Sequence, residues 1–247
     1  GMLWPIGGAD RPPPPPLNLI GDFGGGGMML ALGVVAGLLS ARTTGRGQVV
    51  DAAMVDGAAV LGTMIYGMIG NRTWDLARGA NMLDGGAPFY GVYETADGGY
   101  VSIGSLEPQF YGALLKSLDL TDPRFLKQWD RAMWPDLKAA LVSRFKERSR
   151  DEWCAALEGS DICFAPVLNP VEAARHPHAT ARDAFVTDGK SAMPRPAPRF
   201  SGTPTAIAAP TGVAGSDTSE VLAEAGLTPE MIARAFADGL VSGSKTS

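Results

Sequence analysis

Two cysteines and two histidines are all that this chain of 247 residues holds. Cys154 and Cys163 build no disulfide framework, and neither has a histidine at ligand spacing. Disulfide scaffolds and metal sites are thereby excluded, and a reducing cytoplasm is the expected compartment. Basic charge is scarce too: 21 Lys and Arg stand against 26 acids, a net charge of −5 without any basic run. That balance excludes nucleic acid as a partner. The longest apolar stretch, Met28 to Leu39, is short of the roughly 20 residues that a bilayer demands, so no membrane span is expected. No signal peptide is expected either, since a charged n-region is missing and Pro12 to Pro16 breaks any helical h-region. Internal repeats are absent. What remains is 45% hydrophobic, ample core for one large or two modest domains.

Glycine is where the sequence turns informative. Asp22 lies beside four glycines in Gly21-Asp22-Phe23-Gly24-Gly25-Gly26-Gly27, followed by an apolar run. The pattern predicts a helix from Phe23 to about Ala41, apolar nearly all round and therefore buried, with Asp22 at its entrance. Glycines at such a mouth admit a ligand close to the backbone. A plain aspartate cap on a helix whose glycines serve close packing leaves the same trace. Before it, residues 1–21 read as an extended, proline-rich lead-in.

Thr44 to Gly47 predicts a turn, Asp51 a second cap, and a second helix reaches about Ile69. At about 100° per residue, Met54, Met64 and Met68 then fall within roughly 80° of one another. Such a stripe, with Met82 in the following loop, suits an adaptable apolar surface or simply a core. Tyr90 to Thr95 and Tyr100 to Gly104 flank Ala96-Asp97-Gly98-Gly99, a hairpin signal. Glu107 then precedes Pro108 at a helix N-terminus, where dipole stabilisation alone could account for it. Residues 108–185 read as mostly helical. Pro135 starts one helix, Ser149 to Glu152 forms a capping box, Asn169-Pro170 opens a third helix, and Cys163 to Val167 is a short strand. Ala192 to Gly215 reads as a connector, and the final helices take caps at Asp217 and Thr228 with a stop at Gly239.

With these segments in place the chain resembles the family III CoA-transferase superfamily, and within it the alpha-methylacyl-CoA racemases. The stretches that carry the likeness are Pro16 to Gly26 (PLNLIGDFGGG), Gly45 to Asp56 (GRGQVVDAAMVD) and Arg78 to Tyr90 (RGANMLDGGAPFY). Gly104 to Tyr111 (GSLEPQFY), Pro196 to Ser201 and Asp217 to Leu227 continue it. The resemblance implies an α/β fold. A Rossmann-like large domain, truncated here, would hold residues 1–90, with a small α+β domain at 91–190. Residues 191–247 would be a connector and helices returning to the large domain, and two chains would interlock as a homodimer.

The resemblance also implies roles. Asp22 is an acid/base group at the substrate α-carbon, and Glu107 assists a histidine on the opposite face. Gly24 and Gly25, together with Met54, Met64, Met68, Met82, Leu83 and Tyr90, bind the substrate, the methionines carrying the fatty acyl chain. The partner is an acyl-CoA thioester; CoA is part of the substrate and no separate cofactor is implied. The family's histidine lies in a Gly-His-Asp stretch upstream of the proline-rich lead-in, so the chain corresponds to the C-terminal two-thirds of such an enzyme. His176 and His178 have no matching context and read as surface residues.

The chemistry fits carboxylates. A thioester acidifies its α-carbon, and inversion needs a base on one face and an acid on the other. A helix N-terminus favours the ionised carboxylate, so Asp22 suits the resting base. Two other readings stay open: a CoA-transferase with Asp22 as nucleophile, which Leu106 to Phe110 disfavours, and an inactive, acyl-binding dimeric remnant.

Overall fold

The computed structural model describes residues 1–187, 191–205, 207 and 212–243. They form two compact units, Gly1–Asn169 and Pro170–Ser247.

The first unit opens with hydrogen-bonded turns (Trp4 N–H to Gly1 O, Ile6 N–H to Leu3 O) before the proline run. Trp4 Nε1 donates to Leu76 O at 2.9 Å and Arg78 to Gly8 O at 2.5 Å, tying the lead-in to the loop that follows the apolar helices. The first helix begins earlier than its sequence suggests. Leu19–Gly27 is a π-helical stretch in which Phe23 N–H reaches Asn18 O, and it runs directly into α1, Met28–Thr44. Asp22 therefore sits inside the first turn rather than at the cap. Asn18 occupies the cap position without a side-chain hydrogen bond. Glycines explain the wide turn: four in succession carry no Cβ to resist it. Gly45 ends α1 in the left-handed region at φ 73°.

Two expectations about this segment fail. No residue of α1 is buried, and Leu32, Val35 and Leu39 are each about two-thirds exposed, because α2 covers only the glycine end. The helical run is also longer than Met28 to Leu39: Leu19–Thr44 is 26 residues, long and apolar enough to cross a bilayer by length and composition alone. Asp51 caps nothing, since α2 (Met54–Leu61) starts after an extended Ala53.

The second predicted helix is two. Gly62 separates α2 from α3 (Thr63–Gly70), its N–H turning back to Ala59 O and Val60 O. A Cβ on Gly62 would lie 2.2 Å from Met2 Sδ, so the lead-in packs into the break. Helical counting across it does not hold. Met64 and Met68 share a face of α3, whereas Met54 belongs to α2.

The hairpin forms as its sequence predicts. β1 (Tyr90–Glu94) pairs antiparallel with β2 (Tyr100–Gly104) in the register Tyr90 to Gly104, and β2 pairs with β3 (Phe164–Val167). α4 (Pro108–Ser117), α5 (Trp134–Phe145) and α6 (Arg150–Leu157) complete this layer. Proline occupies the first turn of α4 and α5, and Ser149 and Glu152 close a full capping box on α6. The core lies here: Phe89, Tyr93, Leu114, Leu141, Phe145 and Trp153 are almost completely buried. Phe89 meets Tyr111 and Trp134 edge-on at 5.7 and 5.8 Å.

The second unit holds α7 (Pro170–Arg175), α8 (Pro177–Ala181), α9 (Thr218–Glu224) and α10 (Pro229–Ala237). His176 is half-buried and caps α8, its Nδ1 accepting from His178 N–H at 3.3 Å. The predicted connector contains strand β5 (Ala192–Pro194), paired antiparallel with β4 (Phe185–Thr187). Its residues 206 and 208–211 lie outside the described residues. Thr228 caps α10 through Met231 N–H, and Gly239 terminates it at φ 69°. Asp217 holds the cap position of α9 without a side-chain bond.

Candidate functional site

Asp22 is exposed, and its carboxylate has no hydrogen-bond or ion-pair partner among the described residues. The neighbouring glycines face the other way, into α2. A Cβ on Gly24 would lie 3.1 Å from Leu61 Cδ1, one on Gly25 2.7 Å from Ala58 N, and one on Gly26 3.0 Å from Met54 Cγ. Close helix packing thus uses Gly24, Gly25 and Gly26, with Met54 seated against the last, while Asp22 on the same turn faces solvent.

The Arg78 to Tyr90 stretch folds into a loop built around Asp84. Its carboxylate accepts from Gly79 N–H (3.0 Å), Asn81 N–H (2.8 Å), Asn81 Nδ2 (2.8 Å) and Gly86 N–H (3.2 Å). Buried Asn81 adds its own bonds to Asp75 N–H and Asp75 O, and Lys138 Nζ donates to Gly85 O. Leu83 emerges from this loop with Ile20, Leu61, Ile65 and Trp74 along an apolar cleft of about 400 Å³. Met82 turns instead onto the small core.

Glu107 stands at the N-cap of α4 in extended conformation, exposed, with its carboxylate unpartnered among the described residues. The site thus falls into pieces. Asp22, Gly24, Gly25 and Met54 lie at the crossing with α2; Met64 and Met68 are on α3; Leu83 lines the cleft. Tyr90 and Glu107 sit with the three-stranded sheet, where the Tyr90 ring would contact a Cβ on Gly104 at 3.6 Å. No hydrogen bond or ion pair joins Asp22 to Glu107 among the described residues.

Residues 1–218, Asp22 and Glu107 among them, match the signature of one protein family. The chain belongs to CoA-transferase family III. It is similar to the alpha-methylacyl-CoA racemase of Mus musculus, at 42% identity over 247 residues, and to that of Homo sapiens, at 40% over 250. These alignments take in 99% of the chain, which spans about 65% of each relative's length. The acetyl-CoA:oxalate CoA-transferase of Acetobacter aceti is 28% identical over 72% of this chain and 46% of its own length. Among solved structures, a CAIB/BAIF family protein from Brucella suis superposes with TM-score 0.71 at 21% identity, covering 91% of this chain and 60% of that one. A Mycobacterium tuberculosis protein gives 0.67 at 24% identity, over 89% and 58%. Both likenesses establish the fold, a mixed α/β architecture.

Two neighbours of Glu107 in this family III chain escape sequence reading. Cys163, at φ 53° and exposed, passes its carbonyl to Gly104 N–H at 3.0 Å. Burial first, then the Glu107 and Asp161 carboxylates, push its thiol up. Gln128 lies beneath the Ser105–Leu106 peptide, buried, and no motif marks it.

Proposed function

We propose that this chain supplies the proton-transfer and acyl-binding parts of an enzyme that racemises 2-methyl-branched acyl-CoA thioesters. The observation that carries the reading is the 42% identity to an alpha-methylacyl-CoA racemase, sustained along 99% of the chain. Asp22 takes the α-proton from one face, leaving an enolate whose charge gathers on the thioester oxygen. A group on the opposite face, assisted by Glu107, returns a proton with inverted configuration. An exposed carboxylate without a competing partner suits this role: it can meet a substrate proton without first breaking an ion pair. Met54, Met64, Met68 and Met82 accommodate the acyl chain with Leu83 and Tyr90, and Gly24 and Gly25, packed on α2, hold the turn from which Asp22 meets the thioester.

The same reading places residues 1–90 and 191–247 in a Rossmann-like large domain and 91–190 in a small α+β domain. Two chains interlock as a cytoplasmic homodimer, and no cofactor beyond the CoA of the substrate takes part. The test is deuterium incorporation at C2 of a 2-methylacyl-CoA in deuterated water. Exchange that falls by about 10²–10⁴-fold in Asp22→Ala, the range for a lost acid/base group, supports the assignment; undiminished exchange in that variant refutes it.

The relatives named as CoA-transferases favour a second reading, in which Asp22 attacks the thioester carbonyl and expels CoA thiolate to form a mixed anhydride. Hydroxylamine added during turnover separates the two, since only the second yields a modified Asp22.

A further inference from the structure

The peptide that delivers Glu107 is held from below by one buried amide. Gln128, between the 3₁₀ turn Pro123–Leu126 and α5, is 8% exposed. Its Nε2 donates to Leu106 O at 2.9 Å and to Ser105 O at 3.3 Å, the two carbonyls immediately before Glu107. The main-chain carbonyl of Gln128 accepts from buried Trp134 Nε1 at 2.8 Å, which ties the backbone of this residue, not its side-chain amide, to the start of α5. Ser105 is fixed from its other side, N–H to Phe89 O at 3.0 Å and Oγ to Ile162 O at 2.7 Å. A primary amide is the one uncharged side chain with two N–H donors on a single atom, as two adjacent carbonyls require. A carboxylate there would oppose both oxygens, and an apolar residue would leave them buried without donors.

We infer that Gln128 is a positioning residue for Glu107, clamping the Ser105–Leu106 peptide so that the glutamate projects from the mouth of α4 in one orientation. The catalytic meaning rests on the racemase reading above; the clamp itself does not. Two other cap residues need no such support. Asp122 and Ser149 hold their helices through their own side chains, whereas Glu107 makes no cap bond, so its placement is left to the backbone that carries it.

Cys163 provides a reporter independent of turnover, because the Glu107 charge bears on its thiol together with that of Asp161. In a Cys154→Ser background, which leaves a single thiol, iodoacetamide labelling of Cys163 at pH 7.5 is compared across variants. Glu107→Gln is expected to raise the rate about two- to threefold by enlarging the thiolate fraction. Gln128→Met, similar in size but without donors, is expected to reproduce at least half of that rise. It should also lower kcat for α-proton exchange about tenfold with KM nearly unchanged, as for a misplaced group. Trp134→Phe costs stability while leaving the Gln128 donors in place, and labelling should stay at the wild-type rate. If Gln128→Met does not fold, Gln128→Asn, one methylene shorter, should show a smaller rise of the same sign.

Labelling unchanged in the Gln128 variants while Glu107→Gln accelerates it overturns the clamp, and so does an equal rise in Trp134→Phe, which would mark mere loosening. No response to Glu107→Gln places the glutamate away from Cys163 and overturns it as well. Unaltered exchange in Glu107→Gln removes the catalytic reading alone and leaves the clamp to be judged by the thiol.

Discussion

Gly25 and Gly57 meet backbone to backbone: a Cβ built on Gly57 would lie 1.9 Å from the carbonyl oxygen of Gly25. No rotamer change relieves such an overlap, because both partners are main chain. Gly57→Ala must therefore part α2 from the π-helical turn that carries Asp22, at a cost at or above the roughly 1–3 kcal/mol of ordinary overpacking. Thermal unfolding should fall by about 5 °C or more. Gly27→Ala is the contrast. Its Cβ would sit 3.5 Å from Asp22 O, ordinary contact, and alanine in a helix is worth roughly 0.5–1 kcal/mol over glycine. Its melting temperature should hold or rise. Equal losses in both variants would mean that the crossing is looser than its geometry.

Asp84 gives the second expectation. Four N–H donors converge on one half-buried carboxylate, three of them from the backbone of its own loop. Asp84→Ala strands those donors, and about 2–3 kcal/mol is the expected cost at roughly 1.5–3 kcal/mol per charged hydrogen bond with partial rescue by water. Limited proteolysis should then cut first within residues 75–86. Asp84→Asn, which keeps one acceptor, should fall between the alanine variant and wild type.

How much of this was legible follows from how local each cause is. The hairpin from Tyr90 to Gly104, the capping box at Ser149 and the proline start of α4 are written within a few residues, and all three form as read. The π-helical turn at Asp22 leaves no side-chain signal, since glycine has none to leave. The break at Gly62 depends on Met2, sixty residues away. Periodicity therefore ran a single methionine stripe across what are two helices. An all-round apolar sequence predicts a buried α1, yet burial belongs to the neighbours and not to the helix. Gln128 is a polar residue in an irregular turn, and only the fold discloses the carbonyls that it serves. The candidate carboxylates were legible through a family pattern of about 200 residues, and their surroundings were not.

The capping box allows a direct check of local energetics. Ser149 Oγ accepts from Glu152 N–H, and the Glu152 carboxylate accepts from Ser149 N–H at 2.8 Å. Ser149→Ala should cost about 1 kcal/mol, the usual worth of a helix cap. Ser149 Oγ also donates to the Glu152 carboxylate at 2.7 Å, and that bond first, then the one from Ser149 N–H, holds the Glu152 carboxyl below its ordinary range. A carboxyl lowered in the folded state binds its proton later than the unfolded chain does, so its contribution is present above the unfolded value and lost as pH falls through the folded one. The difference in melting temperature between wild type and Ser149→Ala should therefore shrink on acidification below about pH 4.5. A constant gap down to pH 3 would assign the stabilisation to the hydroxyl alone.

Alkaline pH tests the core through two phenols. Burial pushes Tyr111 up to about 12, and its hydroxyl donates to Phe125 O at 2.9 Å. Tyr93, hydrogen-bonded to Pro88 O, is raised further by deeper burial and by the neighbouring Tyr111. Between pH 10 and 12 the unfolded chain releases both protons while the folded chain keeps them. The unfolded state then holds fewer protons, and stability must fall as pH rises through that window. Ultraviolet titration should show Tyr93 and Tyr111 ionising only as the fold collapses. Tyr111→Phe forfeits one buried hydrogen bond, about 1 kcal/mol at neutral pH, and leaves the Phe125 carbonyl short of a donor. It also removes one of the two protons that drive alkaline unfolding. Its melting temperature should start below wild type at pH 7 and lose less from there to pH 11.5. Parallel pH profiles would place the alkaline sensitivity on Tyr93 alone.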